Sequence, residues 1–192
     1  MKKALDAFIT TSNTFQYPQE RCNKKEKYTI EELSEGFIGY KGASYERWNP
    51  EVYKEDAKND TDWSGLYIAE LEKITEGYLP DMVPGGNGTA YIHKVGINTK
   101  VNLITCYEDS FKTGNIDINT LKSELRNLGV GIQDGDFLMP KLGQLGYFFK
   151  CYNNEEGDFE IIIPNNMVDI VTMSQYKECE MQNYEIKGCF SV

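Results

Sequence analysis

The chain has one histidine, His93, in 192 residues. A Ser-His-Asp triad, a Cys-His pair or a His-based metal centre would each have to use that single ring, which nearly closes those classes. Within Ala-Tyr-Ile-His-Lys-Val, His93 reads as one face of a strand, a structural position. The five cysteines, Cys22, Cys106, Cys151, Cys179 and Cys189, include no C-x-x-C pair. Their odd number and wide spacing argue against a disulfide framework or a zinc site, and for buried free thiols. No apolar run approaches the roughly 20 residues that span a bilayer. Two lysines open the chain, but Asp6 interrupts the apolar stretch before a signal-peptide core forms. Basic residues are also in deficit, 20 against 30 acidic, for a net charge of −10. That balance repels phosphate backbones and anionic lipid, so neither nucleic acid nor a membrane surface is the expected partner.

What is present is a globular composition, 40% hydrophobic and 26% charged, on a length that suits one domain over residues 1–192. Lys2 to Ile9 suits a short amphipathic helix, and residues 10–28 read as a polar, extended surface segment. Thr29-Ile30-Glu31-Glu32 has the form of a capping box, which predicts a short helix ending near Gly36. Phe37 to Lys41 and Gly65 to Ala69 read as strands, separated by a loop that carries Pro50 and an acidic run from Glu55 to Asp62. Leu71, Ile74 and Tyr78 share a helical face and predict a helix over 71–78. Residues 80–88, with two prolines and three glycines, predict a mobile loop. Further strands are expected at 89–95, 101–106, 145–151, 159–163 and 168–173, with a helix near 119–128. The chain beyond Tyr176 carries no clear signal. Short strands without regular β-α alternation predict an α+β domain.

Thirteen tyrosines make any one spacing between them uninformative, so Tyr67 and Tyr78, eleven positions apart, mean little taken alone. Their surroundings carry more. Gly39-Tyr40-Lys41-Gly42-Ala43-Ser44, Trp63-Ser64-Gly65-Leu66-Tyr67-Ile68-Ala69 and Glu76-Gly77-Tyr78-Leu79-Pro80-Asp81 follow one another in that order. This succession resembles the diphtheria toxin and exotoxin A group of ADP-ribosyltransferases. Members of that group show Y-H-G-T, then W-x-G-x-Y-I-A, then a helix with a second tyrosine, then a loop rich in glycine and proline. A catalytic glutamate opens a late strand, and Asp158-Phe159-Glu160-Ile161-Ile162-Ile163 offers Glu160. The likeness is close over about residues 36–95 and looser over 145–170.

The resemblance implies a split β-sandwich of two packed mixed sheets, with NAD as substrate and no metal. Glu160 would be the catalytic carboxylate. Tyr67 and Tyr78 would sandwich the nicotinamide, Gly42 would let backbone groups reach its carboxamide, and Tyr40 and Ala69 would line the cofactor site. Lys41 replaces the group's histidine and would reach the pyrophosphate or a ribose oxygen as a point charge. Asp158 would engage the acceptor protein. Glu185, in Tyr-Glu-Ile-Lys-Gly, is a rival to Glu160; distance from Tyr78 favours Glu160. The implied activity is transfer of ADP-ribose from NAD to a host protein of open identity, by a monomer or a module of a larger toxin. Such a protein would be secreted or translocated into a host cell, although no signal peptide is evident. An NAD glycohydrolase on the same fold and a non-catalytic acidic binding module are the alternatives.

Overall fold

Alternation of buried and exposed side chains is what lets a strand lie between a core and solvent, and several segments show it. In the computed structural model the described residues are 27–56, 61–107, 117–153 and 158–192, with the description limited to the backbone at 56, 152–153 and 158–159. The expected helix over Lys2–Ile9 and the extended segment up to residue 26 lie outside them.

Nine strands form one mixed sheet: β1 (Tyr28–Leu33), β2 (Ile38–Ala43), β3 (Gly65–Ala69), β4 (Gly88–Ile97), β5 (Val101–Cys106), β6 (Tyr147–Asn153), β7 (Asp158–Pro164), β8 (Val171–Gln182) and β9 (Glu185–Ser191). Their order is β1-β5-β6-β7-β3-β2-β4-β8-β9. Only β5 and β6 run parallel; the other pairs are antiparallel. Four α-helices accompany the sheet: α1 (Pro50–Asp56), α2 (Glu72–Met82), α3 (Ile118–Asn127) and α4 (Leu138–Gln144). The domain is therefore α+β. None of the described helices is long and apolar enough to cross a membrane.

The sheet is narrowest in its middle. β2 pairs with β4 from Ile38 to Ala43, and β3 pairs with β7 from Gly65 to Ala69. β2 and β3 meet at one rung only, Tyr40 opposite Ala69. Beyond that rung, the β3-facing edge of β2 from Lys41 to Ala43 has no strand ladder.

Three apolar clusters hold the domain. Ile104, Phe149, Cys151 and Ile162 pack beneath Leu121 and Leu125 of α3 and Leu138, Met139 and Leu142 of α4. The opposite face gathers Leu66, Ile68, Val95, Ile97, Phe148 and Ile161, with Trp48 and Tyr53 against it. Ala90, Ile92, Cys179 and Met181 pack under Leu79 and Val83.

Several expectations need correction. Thr29–Glu32 lies in a strand, β1, not a helix. A capping box specifies only a start, and the chain after it has too few apolar residues to give a helix a buried face. The full register with β5 wins: Thr105 Oγ1 donates to Glu31 Oε1 at 2.9 Å, and the Thr29 hydroxyl donates to Tyr107 Oη at 3.4 Å. The supposed loop around Pro50 holds α1, whose start Asn49 caps by accepting from the Glu51 N–H at 3.1 Å. Asn followed by Pro at the first helical position is a recognisable signal that was there to be read.

Residues 80–88 are not an irregular mobile loop. α2 runs on to Met82 with Pro80 inside it, Pro84–Gly86 forms a 3-10 turn, and β4 begins at Gly88. The turn is tethered to the β8–β9 connection: the Tyr184 N–H donates to Gly86 O at 3.0 Å, and the Asn183 N–H donates to Asn87 Oδ1 at 3.1 Å. A Cβ on Gly86 would lie 2.6 Å from the Tyr184 ring, so this contact requires glycine. The strand expected at 168–173 begins at Val171, after a 3-10 segment over Asn165–Ile170.

The thiols are not all free. Cys179 and Cys189 are joined by a disulfide, opposite each other in the β8–β9 ladder. Asn183 and Tyr184 both take positive φ, 52° and 62°, the backbone of a two-residue hairpin turn. The cysteine pair becomes legible only once that hairpin is recognised. Cys106 and Cys151 are buried thiols outside any disulfide, as expected, and Cys22 lies outside the described residues.

Candidate functional site

Three distant chain segments meet on one line across the sheet. Tyr40 stands opposite Ala69 on the neighbouring strand, and Ala69 stands opposite Glu160 on the next. Residues in register share a face, so these three side chains lie on the same side of the sheet. Ala69, with its single methyl group, separates the tyrosine from the carboxylate, which lie two strand spacings, or about 10 Å, apart along the backbone.

Tyr67 is on the same face, two residues before Ala69, and is opposite Ile162. It is therefore the diagonal neighbour of Glu160. Its hydroxyl donates to Trp63 O at 2.9 Å, which fixes the half-buried ring. Burial above all, then the nearby Cys151 and Glu160, pushes the Tyr67 hydroxyl up to about 12, so it stays protonated at neutral pH. Cys151 faces Glu160 across the β6–β7 ladder, and its Sγ donates to the Glu160 carbonyl at 3.6 Å. Burial raises the Cys151 thiol well above its ordinary range, with Glu160 adding to the effect, so it is no nucleophile.

Lys41 follows Tyr40 at the point where β2 loses its neighbour. Burial lowers its pKa, and the Glu160 carboxylate opposes that shift. The lysine thus senses Glu160 across the break between β2 and β3. Among the described residues it makes no hydrogen bond or salt bridge.

Gly42 has a packing role that its sequence context did not reveal. A Cβ there would lie 3.1 Å from Leu79 Cδ2 and 3.3 Å from Thr75 Cγ2. Glycine lets α2 press onto β2, and α2 also touches β3 and β4. Tyr78 is half-buried on this helix, between the buried Ile74, Thr75 and Leu79 positions that bind it to the sheet. The Thr75 hydroxyl is itself buried without a hydrogen-bond partner. Next to α2, Lys177 on β8 pairs with Glu72, and with Glu76 at 3.7 Å. Tyr40 closes this side, with its ring 6.1 Å from that of Tyr176. Burial and Glu72 raise the Tyr40 pKa.

Asp158 is the first residue of β7, and its side chain lies outside the described ones. Glu185 is on the edge strand β9, exposed, with its carboxylate accepting from Lys187 Nζ at 2.5 Å. That ion pair lowers the Glu185 pKa. Strands β2, β4 and β8 separate it from Tyr67, so of the two rival glutamates only Glu160 is next to Ala69.

His93 is fully buried on β4 and pairs in register with Lys41. Nothing in the local sequence signalled that pairing, which depends on how β2 and β4 align. Among the described residues no group of three or more His, Cys, Asp or Glu side chains is arranged to hold a metal ion. No protein-family model matches the chain, and no curated protein matches it either.

The half-buried Glu160 carboxylate and the neutral Tyr67 lie on one side of the sheet, and Lys41, with a weakened hold on its proton, leaves the other at the unladdered edge of β2. A carboxylate placed like Glu160 can stabilise positive charge that develops on a bound ligand.

Proposed function

We propose that this protein is a mono-ADP-ribosyltransferase that moves ADP-ribose from NAD to a host protein and releases nicotinamide. The observation that carries the reading is the Tyr40–Ala69–Glu160 line. It joins two of the three motif segments, 39–44 and 63–69, to the late strand that carries Glu160, and a chance likeness in sequence gives no reason for these to be neighbours. The single β2–β3 rung supports the finer fold reading as well: a split sandwich would divide there, into β1-β5-β6-β7-β3 and β2-β4-β8-β9.

The nicotinamide of NAD is a cationic ring that leaves as a neutral molecule, so departure requires little acid assistance. Positive charge develops on the ribose, as in glycoside cleavage. In this reading Glu160 accepts a hydrogen bond from the ribose 2′-hydroxyl and stabilises that charge. Tyr67 and Tyr78 offer aromatic faces to the ring while it is cationic. The free edge of β2 at Lys41–Ala43 supplies backbone groups for the carboxamide, and Gly42 lies at its centre. Tyr40 and Ala69 line the same face. Lys41 presents its ammonium to the pyrophosphate, and Asp158, at the start of β7, is the residue assigned to the incoming acceptor.

The test is incubation of the protein with labelled NAD and a eukaryotic lysate, comparing wild type with Glu160→Ala. A labelled protein band that disappears in the variant supports transfer. NAD consumption with no labelled band makes the protein an NAD glycohydrolase. Absence of both consumption and binding overturns the reading in favour of an acidic binding module.

A further inference from the structure

The β2–β4 ladder sets Lys41 directly opposite His93, so the two side chains leave the same face of the sheet. His93 is fully buried. Its Nε2 lies 2.9 Å from the carbonyl oxygen of Tyr45. A carbonyl can only accept, so Nε2 carries the hydrogen and Nδ1 is left as a bare acceptor. That Nδ1 is buried with no hydrogen-bond partner. The Tyr45 and Tyr91 rings flank the imidazole, with centroids 5.5 and 6.4 Å away, and neither corrects the deficit.

Burial disfavours a second proton on the ring, and the neighbouring Lys41 adds to that, so the His93 pKa lies below its ordinary value. The ring is a neutral acceptor at physiological pH. Lys41 has the complementary lack, a partly buried ammonium with no acceptor among the described residues. A buried acceptor left unpaired is a net cost to the fold, which a donor one strand away would recover.

We propose that His93 is a positioning residue for Lys41, its Nδ1 accepting one Lys41 N–H so that the remaining donors are left for a phosphate oxygen of the ligand. The ligand half of this assignment rests on the NAD reading; the Lys41–His93 pairing does not. It gives the lysine a fixed direction, which a flexible four-carbon stem otherwise lacks.

His93 is the single histidine, so protein labelled with nitrogen-15 histidine gives one pair of ring signals by NMR. The expected result at pH about 6.5, where a free imidazole is half-protonated, is a neutral ring with hydrogen on Nε2. In Lys41→Met the Nδ1 signal moves while Nε2 stays in place. A ring protonated on Nδ1, or an Nδ1 signal indifferent to Lys41→Met, overturns the pairing. The ligand half is read by titrating NAD, ADP and nicotinamide into His93→Phe. Binding of NAD and ADP should weaken about tenfold, the scale of one hydrogen bond to a charged group, with nicotinamide unaffected and kcat nearly unchanged. Equal weakening for nicotinamide, or unchanged ADP affinity, overturns the positioning role. Should His93→Phe fail to fold, Lys41→Met in the same three titrations takes its place. Wild-type protein that binds neither NAD nor ADP overturns the NAD reading and the ligand half with it, while the ring signals still decide the pairing.

Discussion

Leu79 of α2 lies directly above the missing side chain of Gly42, and its Cδ2 is 3.1 Å from where a Cβ would stand. Thr75 Cγ2, at 3.3 Å, tightens the same contact. Both neighbours are side-chain methyls, so Gly42→Ala should be accommodated by a small shift of α2, at about 1 kcal/mol. Gly65 contrasts with it: a Cβ there would lie 2.6 Å from Ile162 Cγ2 and 2.8 Å from the Ile163 carbonyl oxygen. Backbone cannot yield so easily, and Gly65→Ala should cost about 3 kcal/mol. Denaturant unfolding of the two variants gives the order. A Gly42→Ala loss as large as that of Gly65→Ala would show that α2 is rigidly clamped.

Gly42 also shows what a sequence can and cannot disclose. The motif containing it was readable, as were β3, β4, β5, β7 and α3, because each has its own apolar alternation or stripe. That Gly42 faces a helix was not readable, because Leu79 reaches it only through the fold. The same holds for Asp62, whose Oδ1 accepts from the Leu138 N–H at 2.8 Å and so caps α4 from 76 positions away. Local signals misled where a partner outvoted them: Thr29 and Glu32 form a capping box on paper, yet β5 offers them a complete ladder. Glu160 was legible as the opening of an apolar strand. Its place beside Ala69, and the Lys41–His93 pair, depend on strand order.

The Cys179–Cys189 disulfide closes a short hairpin, with ten positions between its ends. By loop-closure entropy such a link contributes about 3 kcal/mol. Cys179 is part of the cluster that seats α2, so loss of the bond should loosen the helix that bears Tyr78. Thermal unfolding with and without a dithiol reductant should show a fall in Tm. Cys179→Ser with Cys189→Ser should start from the lower value and be insensitive to reductant. An unchanged wild-type Tm on confirmed reduction would sink the prediction.

Tyr67 separates a stabilising role from a binding one. Tyr67→Phe removes the 2.9 Å bond to Trp63 O but keeps the ring. It should lower stability by about 1 kcal/mol and leave NAD affinity almost intact. Tyr67→Ala removes the face as well, and NAD binding should weaken about tenfold or more if the ring stacks on nicotinamide. Equal NAD affinity in all three proteins, followed by calorimetry, would remove Tyr67 from the site.

Lys41 should be worth more to function than to the fold. Its pKa is lowered by burial, with Glu160 holding it partly up, so the folded state binds the Lys41 proton less tightly than the unfolded chain does. The sign follows from linkage. Below the folded pKa both states are protonated and the full cost of the buried charge is present; as pH rises from there towards the unfolded value of about 10.4, the unfolded chain keeps its proton and stability rises. Lys41→Met removes this term. Relative to wild type, the variant should be more stable at neutral pH, and its advantage should shrink as pH rises through that window. On the proposed NAD reading it should also bind NAD more weakly, because the point charge assigned to the pyrophosphate is gone. Urea unfolding from neutral to alkaline pH, paired with NAD titration, checks both halves. A variant that loses stability at neutral pH would mean that the hydrogen bond from Lys41 to His93 Nδ1 outweighs the cost of burying the charge.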